Sequence, residues 1–143
     1  MRDLSNNIVG VASIAPVVLA ADTDGTGVDL QGFESATVVL SVGIEGVTLS
    51  TTNKIEFELE ESTDNSTFTD VTSATSVTET SVGTGGLFFT ADGNADIPAV
   101  TTIGYVGGAR YIRVVANFSG THGTGTPISA TVIKGHPRHS TDA

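Results

Sequence analysis

Four glutamates fall within the eight-residue segment KIEFELEE (54–61), three of them at alternate positions. Carboxylates two residues apart on one face of a strand lie about 6.5 to 7 Å apart, near the spacing that glycosidases use for their acid and base. Catalysis also needs one carboxyl with a raised pKa, and therefore a buried cleft. Because Lys54 shares the face of Glu56, Glu58 and Glu60, we interpret these carboxylates as the solvated face of a strand.

A second group of carboxylates lies in DTDGTGVD (22–29), which resembles the first half of a calcium-binding loop. Asp22, Asp24 and Asp29 surround two glycines, as the ligands of such a loop do. A complete EF-hand loop has a glutamate at its twelfth position, which here is Phe33. Asp and Gly are also the usual residues of turns, so we favour a turn between strands.

The histidines offer little for a metal site or for nucleophilic catalysis. His136 and His139 stand three apart in HPRH, but the chain has only one further histidine, His122, and no cysteine. No G-x-S-x-G nucleophile elbow occurs. The sequence therefore predicts no catalytic residue, no cofactor and no metal, and hence a protein that is not an enzyme.

Charge is distributed unevenly along the 143 residues, whose formal net charge is −10. Residues 109–143 hold Arg110, Arg113, Lys134 and Arg138 against one acid, whereas the preceding residues are strongly acidic. An acidic protein is a poor ligand for nucleic acid or for an anionic membrane. The basic segment suggests contact with an acidic protein surface, on a partner or on another copy of this chain, or else pairing within the fold. Arg113 in particular is expected to pair with a glutamate of 56–60.

Apolar residues alternate with polar ones, which is typical of strands with one buried face. Ile55, Phe57 and Leu59 alternate with the glutamates, and Asp and Asn in the segment 62–66 predict a hairpin turn. No segment has helical spacing of apolar residues over three turns. We therefore predict an all-β fold, a single antiparallel β-sandwich, jelly-roll-like and of about eight strands, with an immunoglobulin-like winding as the alternative. Further strands are predicted in segments 35–44, 85–90, 97–106, 111–118 and 127–135.

Residues 1–20 differ in composition from the remainder of the chain, because they are mostly apolar and nearly uncharged. A secretory signal is one interpretation, but Gly10, Ser13 and Pro16 interrupt the apolar run and the first residues lack a strong positive charge. We favour an extended N-terminal arm or an edge strand over residues 1–20, followed by one β-sandwich domain over residues 21–143. Residues 69–86 show the least pattern and predict a long loop or a ragged edge.

Four segments together resemble small structural proteins encoded in the head gene clusters of tailed bacteriophages and prophages. They are DLQGFESATVVLSVG, EFELEESTDNSTFTDV, GYVGGARYIRVVANFSG and ISATVIKGHPRH, within residues 28–139. That family has an acidic ES-D-x-S-x-aromatic hairpin, a G-x-R-Y-(I or V)-R strand and a C-terminal G-H-P-R run. Phe68 stands where tryptophan is frequent in the family.

The resemblance implies a non-enzymatic virion protein, made in the bacterial host cytoplasm and placed on the capsid exterior as a decoration or cement protein. Its partners would be the major capsid protein and further copies of itself, with no nucleic acid and no membrane. The candidate interface residues are Arg110, Arg113, His136 and Arg138. The alternatives are a phage tail or head-tail connector component, or a carbohydrate-binding sandwich, in which Tyr105 and Tyr111 would have to bind the sugar.

Overall fold

The structure, a computed structural model, describes residues 3–72, 76–78 and 82–139. These residues form strands joined by turns, with short 3₁₀ turns at Ser5–Asn7 and Thr84–Gly86 and no α-helix within the described ranges. The ten strands are β1 Ile8–Leu19, β2 Thr23–Asp24, β3 Val28–Asp29, β4 Phe33–Val42, β5 Lys54–Ser62, β6 Thr69–Asp70, β7 Leu87–Ala91, β8 Ala99–Tyr105, β9 Tyr111–Ser119 and β10 Thr126–Pro137.

The strands form two antiparallel sheets that pack face to face, which confirms the predicted all-β sandwich. The first sheet has the order β1-β10-β4-β8. In the second sheet, β9 pairs with β5 on one side and with both β2 and β3 on the other, and β6 and β7 both pair with the far side of β5.

Two strand positions are each divided between two short segments. Counting β2 with β3, and β6 with β7, gives eight positions whose orders are 1-8-3-6 and 2-7-4-5. This interleaving of early and late strands is the double Greek key of a jelly roll. The predicted count of about eight strands and the jelly-roll-like winding are therefore confirmed.

The core consists of the inward-facing residues of both sheets. Ile55, Phe57 and Leu59 of β5 are fully buried, as their alternation with the glutamates predicts. From the opposite sheet, Val38 and Leu40 of β4 pack into the same cluster and are also fully buried. Cross-strand neighbours on one face are the main stabilising contacts of such a sheet.

The apolar N-terminal segment forms β1, the edge strand of the first sheet, and pairs with β10 from Ile8 to Leu19. Its pairing shifts register on either side of Ile14, which is buried in the core. The buried Ser13 side chain connects the two sheets, because its hydroxyl donates to Thr26 O at 3.0 Å and accepts from Val114 N at 3.0 Å. Residues 8–19 are thus an integral part of the sandwich.

The predicted hairpin of residues 54–71 is present, with a turn held by Asp64. Its Oδ1 accepts hydrogen bonds from the backbone N–H groups of Ser66 and Thr67 at 2.9 and 2.8 Å, and β6 then pairs with the end of β5. These bonds lower the pKa of Asp64. Of the predicted ragged segment 69–86, residues 73–75 and 79–81 lie outside the described ranges, and Val77 makes an isolated bridge to Tyr105.

Candidate functional site

One end of the sandwich gathers several of the predicted interface residues. Arg110 lies just before β9, His136 is the second-last residue of β10, and Arg138 follows that strand. The two arginines line a groove of about 560 Å³, and His136 Nδ1 lies 2.8 Å from the Oγ of Ser35 in the groove wall. We call this region, together with Lys134, the basic end. The rest of the groove is formed by residues 30–36 and 105–109.

Arg110 is fixed at the mouth of the groove by Asp29. Its Nε and Nη2 donate to the two carboxylate oxygens of Asp29 at 3.0 and 2.7 Å. Such a bidentate pair fixes the plane of the guanidinium, and the hydrogen bonds from Arg110 lower the pKa of Asp29. Both side chains remain about two-fifths exposed, so the pair orients Arg110 more than it stabilises the fold.

The other cations of the basic end are held less tightly. Lys134 Nζ donates to Asp29 O at 3.1 Å and lies 4.5 Å from the centre of the Phe33 ring. Arg138 Nε is 3.9 Å from a carboxylate oxygen of Glu34, and both side chains are about two-thirds exposed. The charge of Arg138 is therefore accessible to another molecule.

Arg113, the fourth predicted interface residue, lies apart from the basic end, on the outer face of the second sheet. Its Nε donates to Glu60 Oε2 at 2.5 Å, its Nη2 lies 3.2 Å from Asp24 Oδ2, and its guanidinium stacks 4.2 Å from the centre of the Phe68 ring. Glu60 and Arg113 are direct cross-strand partners, which confirms the predicted pairing. With 19 % of its side chain exposed, Arg113 contacts its own fold on three sides.

Glu56, Glu58 and Glu60 of β5 lie on the same outer face, which we call the acidic face, whereas Glu61 has the inward parity and contacts Tyr105. Lys54 Nζ contacts Glu56 Oε1 at 2.8 Å, so Glu56 and Glu60 each have a cationic partner and Glu58 stands between them. Partial burial, opposed by a hydrogen bond with Asn117, raises the pKa of Glu58, and the nearby carboxylates of Asp70, Glu60 and Glu56 raise it further. These side chains are half-buried on an open sheet face.

The carboxylates of DTDGTGVD bind separate groups. Asp22 Oδ1 accepts from Phe118 N at 2.7 Å, Asp24 contacts Arg113, and Asp29 contacts Arg110. These contacts tie the segment to β9, in keeping with the structural interpretation of this stretch. Within residues 3–72, 76–78 and 82–139, no three His, Asp or Glu side chains form a group that could hold a metal ion.

Sequence reasoning missed a buried polar cluster between the loops 43–53 and 120–125. His122 Nδ1 lies 3.0 Å from both carboxylate oxygens of Glu45, and the Thr126 hydroxyl donates to Glu45 Oε2 at 2.7 Å. His122 Nε2 faces Ser119 O at 2.8 Å. Both ring nitrogens of His122 thus face oxygen atoms that accept hydrogen bonds. The side chains of His122 and Glu45 are only 1 % and 0 % exposed.

The pattern of hydrogen bonds in this cluster indicates a structural role and not an activated nucleophile. A hydroxyl nucleophile would bond the imidazole nitrogen that activates it, whereas here the hydroxyl and the imidazole both bond the carboxylate. The cluster joins the loop after β4 to the loop before β10. No period-two pattern could have indicated it, because Glu45 and His122 both lie outside strands. The one signal available was a lone acid between apolar neighbours in GIEGV.

Tyr105 does not present a platform for a sugar ring, because it is buried at 3 % exposure. Its hydroxyl donates to Glu61 Oε2 and accepts from Ala109 N at 3.0 Å. Burial and the contact with Glu61 raise the pKa of Tyr105. The tyrosine therefore shapes the loop 106–110 that carries Arg110 into the groove. Arg110 lies 5.1 Å from the ring centre of the half-buried Tyr111.

The outer face of the β1-β10-β4-β8 sheet has a different character, and we call it the uncharged face. Cross-strand partners share a face, so the register identifies the outward positions. None of those outward residues is charged: Gly10, Ala12 and Val18 of β1; Pro127, Ser129, Thr131 and Ile133 of β10; Thr37, Val39 and Ser41 of β4; Val100 and Thr102 of β8. An apolar groove of about 680 Å³ crosses this face between β1 and β8.

Comparison with known proteins adds no relative. Neither a protein-family model nor a curated protein matches this chain. Among the described residues, no helix has the length and apolarity needed to cross a membrane.

Proposed function

We propose that this protein is a non-enzymatic structural protein of a tailed-phage virion, which decorates the capsid exterior and stabilises the lattice of the major capsid protein. The observation that carries the proposal is the convergence of Arg110, Lys134 and Arg138, three of the six lysines and arginines, at one end of a strongly acidic sandwich. The G-x-R-Y-I-R and G-H-P-R motifs, which carry the resemblance, supply two of these cations.

The basic end suits recognition of an acidic protein surface. Arg138 presents an exposed guanidinium, and Arg110 is held in a fixed orientation by Asp29. A fixed guanidinium loses little freedom on binding a carboxylate. Phe33 and Leu30 in the groove wall add apolar contact area beside these charges. The groove therefore offers both attraction over a distance and contact at short range.

The acidic face would serve a different purpose in the same setting. A decoration protein binds at many equivalent lattice sites, and modest affinity per copy suffices when the lattice supplies many sites. Binding through the basic end places Arg110 and Arg138 against the lattice. The glutamates of the acidic face then remain in solvent, where their charge discourages edge-to-edge pairing of strands between copies. No bound cofactor is required for this role.

The test is a binding titration against capsids assembled from the major capsid protein whose gene neighbours this one, scored by electron microscopy. The native protein is expected to give saturable density at fixed lattice positions, and Arg138→Gln is expected to weaken binding threefold to tenfold. Lys54→Gln is the matched control, because it removes the same charge from the acidic face. Binding is expected to weaken between about 0.05 and 0.5 M salt.

Two results would contradict this proposal. Equal loss of binding with Lys54→Gln and Arg138→Gln would remove the basic end as the docking surface. Absence of density at any salt concentration would contradict the capsid role and favour a tail or head-tail connector component. In that case native particles would carry the protein at their tails, which immunogold labelling would reveal.

A further inference from the structure

We propose that a second copy of this chain docks on the uncharged face, so that two sandwiches associate sheet to sheet. This inference goes beyond the capsid role and holds whether or not the protein binds capsids. It rests on the composition of the face, its exposure, the geometry of its edges and the charge distribution of the whole chain.

The uncharged face exposes large apolar side chains at one end. Val18 of β1 and Val100 of β8, both at outward positions, are 57 % and 71 % exposed. Together with Pro16 and Pro127 they line the apolar groove. Contiguous apolar surface of this kind marks an association site in soluble proteins.

The area of the face suits a pair of identical copies. Four strands about 4.8 Å apart and seven residues long, at about 3.3 Å per residue, give a footprint of roughly 450 Å². Two such footprints bury roughly 900 Å² in total, the size of a weak, concentration-dependent association. Threonine, valine and serine have short side chains, so the face is nearly flat and can pack against a second sheet as the inner faces of a sandwich do.

The charge distribution favours association of two copies through the uncharged face over association through the acidic face. Two chains of net charge −10 repel each other when their acidic faces approach. When the uncharged faces meet, the two acidic faces are separated by three sheet-to-sheet spacings of about 10 Å each. That distance of about 30 Å exceeds the screening length of about 8 Å at physiological salt, so the repulsion is largely removed.

The edges of the same sheet are less suited to pairing with another copy. Pro16 lies within the free edge of β1, and the register shifts around Ile14 interrupt that edge. The opposite edge, β8, is partly occupied by the bridge from Val77 to Tyr105. Proline and irregular pairing both obstruct the addition of a strand. Association through the face is therefore favoured over extension of the sheet.

The experiment is sedimentation velocity on the purified full chain over a range of protein concentrations. The native protein is expected to sediment as a dimer of two 14.5 kDa chains. Val100→Lys, at an exposed position that leaves the core intact, is expected to raise the dimer dissociation constant at least tenfold, because it buries an unpaired charge. Leu4→Lys, a 65 % exposed position before β1, makes the same charge change off the face and should leave the dimer intact.

The outcomes separate this inference from the capsid proposal. A native protein that remains monomeric at every concentration, or a dimer that survives Val100→Lys unchanged, would overturn it. Circular dichroism and thermal unfolding establish that both variants are folded. Monomeric Val100→Lys that still decorates capsids supports two independent surfaces, whereas a native dimer that never binds capsids supports this inference and refutes the capsid role.

Discussion

At the scale of single residues, Glu45→Ala removes the buried partner of both His122 and Thr126. The imidazole of His122 would keep its contact with Ser119 O but lose its carboxylate contact in the cluster, at 1 % side-chain exposure. Leaving buried donors without their acceptor costs about 1 to 3 kcal/mol of unfolding free energy. Urea denaturation measures the change.

The matched control is Glu34→Ala, which removes the same side chain from the exposed, 3.9 Å pair with Arg138. Glu34→Ala is expected to change the free energy of unfolding by no more than about 0.5 kcal/mol. Equal midpoints for the two variants would show that the His122 cluster contributes nothing to stability, contrary to its burial.

Glu58 leads to a prediction about pH. Its pKa is raised above the ordinary value of 4.5, first by burial and then by neighbouring carboxylates. An acid whose folded pKa is raised destabilises the fold when ionised, so this cost is absent below pH 4.5 and complete above the folded pKa. Glu58→Gln should therefore stabilise the protein at pH 7 by a few tenths of a kcal/mol, and the gain should vanish near pH 3.

The comparison for this prediction is Glu60→Gln, which loses the ionic contact of Glu60 with Arg113. It should lower stability at pH 7, the opposite sign, although both substitutions remove one charge from the same strand face. Denaturant midpoints measured from pH 3 to pH 8 distinguish the two. The same sign for both variants would mean that net charge alone, and not the environment of each carboxyl, controls stability.

Contacts of single residues could be predicted from the sequence where the two-residue period of a strand determines which face of the sheet a side chain lies on. The contact between Arg113 and Glu60 followed from parity, because partners on one face must share it. The contact between Arg110 and Asp29 did not follow, since Arg110 lies outside the regular strand. His122 and Glu45 meet across 77 residues between two loops, and no local pattern encodes such a distance.

At the scale of elements, β1 forms the edge strand that was one of the two alternatives for the N-terminal residues. An extended arm could be removed without harm, but β1 pairs along β10 and places Ile14 and Ser13 in the interior. Deletion of residues 1–15 is therefore expected to lower the unfolding free energy by several kcal/mol, through lost core contacts and orphaned hydrogen bonds at Thr26 O and Val114 N.

Deletion of residues 1–7 is the control, because it ends before β1 begins and leaves the described pairing with β10 in place. Its expected effect on the urea midpoint is small. The two truncations differ by eight residues, so any difference in their midpoints reports on the first two-thirds of β1. A sandwich that keeps its native midpoint after removal of residues 1–15 would contradict the structural role of the strand.

At the scale of the whole molecule, alternation predicted the β-sandwich directly, whereas the jelly-roll winding was predicted beside an immunoglobulin-like alternative, and the strand order decides between them. Alternation identifies which residues of a strand face the core, as it did for Ile55, Phe57 and Leu59. The winding depends on pairs far apart in sequence, such as β1 with β10, which have no local signature. β2, β3 and β6 are two residues long, too short for any period to indicate.

The division of the surface into a basic end, an acidic face and an uncharged face predicts opposite responses to salt. Binding through Arg110 and Arg138 gains from attraction between unlike charges, which salt screens. Association through the uncharged face gains from apolar burial and is opposed by repulsion between two chains of charge −10, which salt also screens.

From about 0.05 to 0.5 M sodium chloride, capsid occupancy should therefore fall while the dimer dissociation constant stays the same or decreases. Electron microscopy and sedimentation velocity on one preparation measure the two effects together. Val100→Lys should weaken the dimer and leave capsid occupancy unchanged, whereas Arg138→Gln should weaken capsid binding and leave the dimer unchanged. Parallel loss of both with salt would mean that one charged surface carries both contacts, because screening removes only repulsion from an association through the uncharged face.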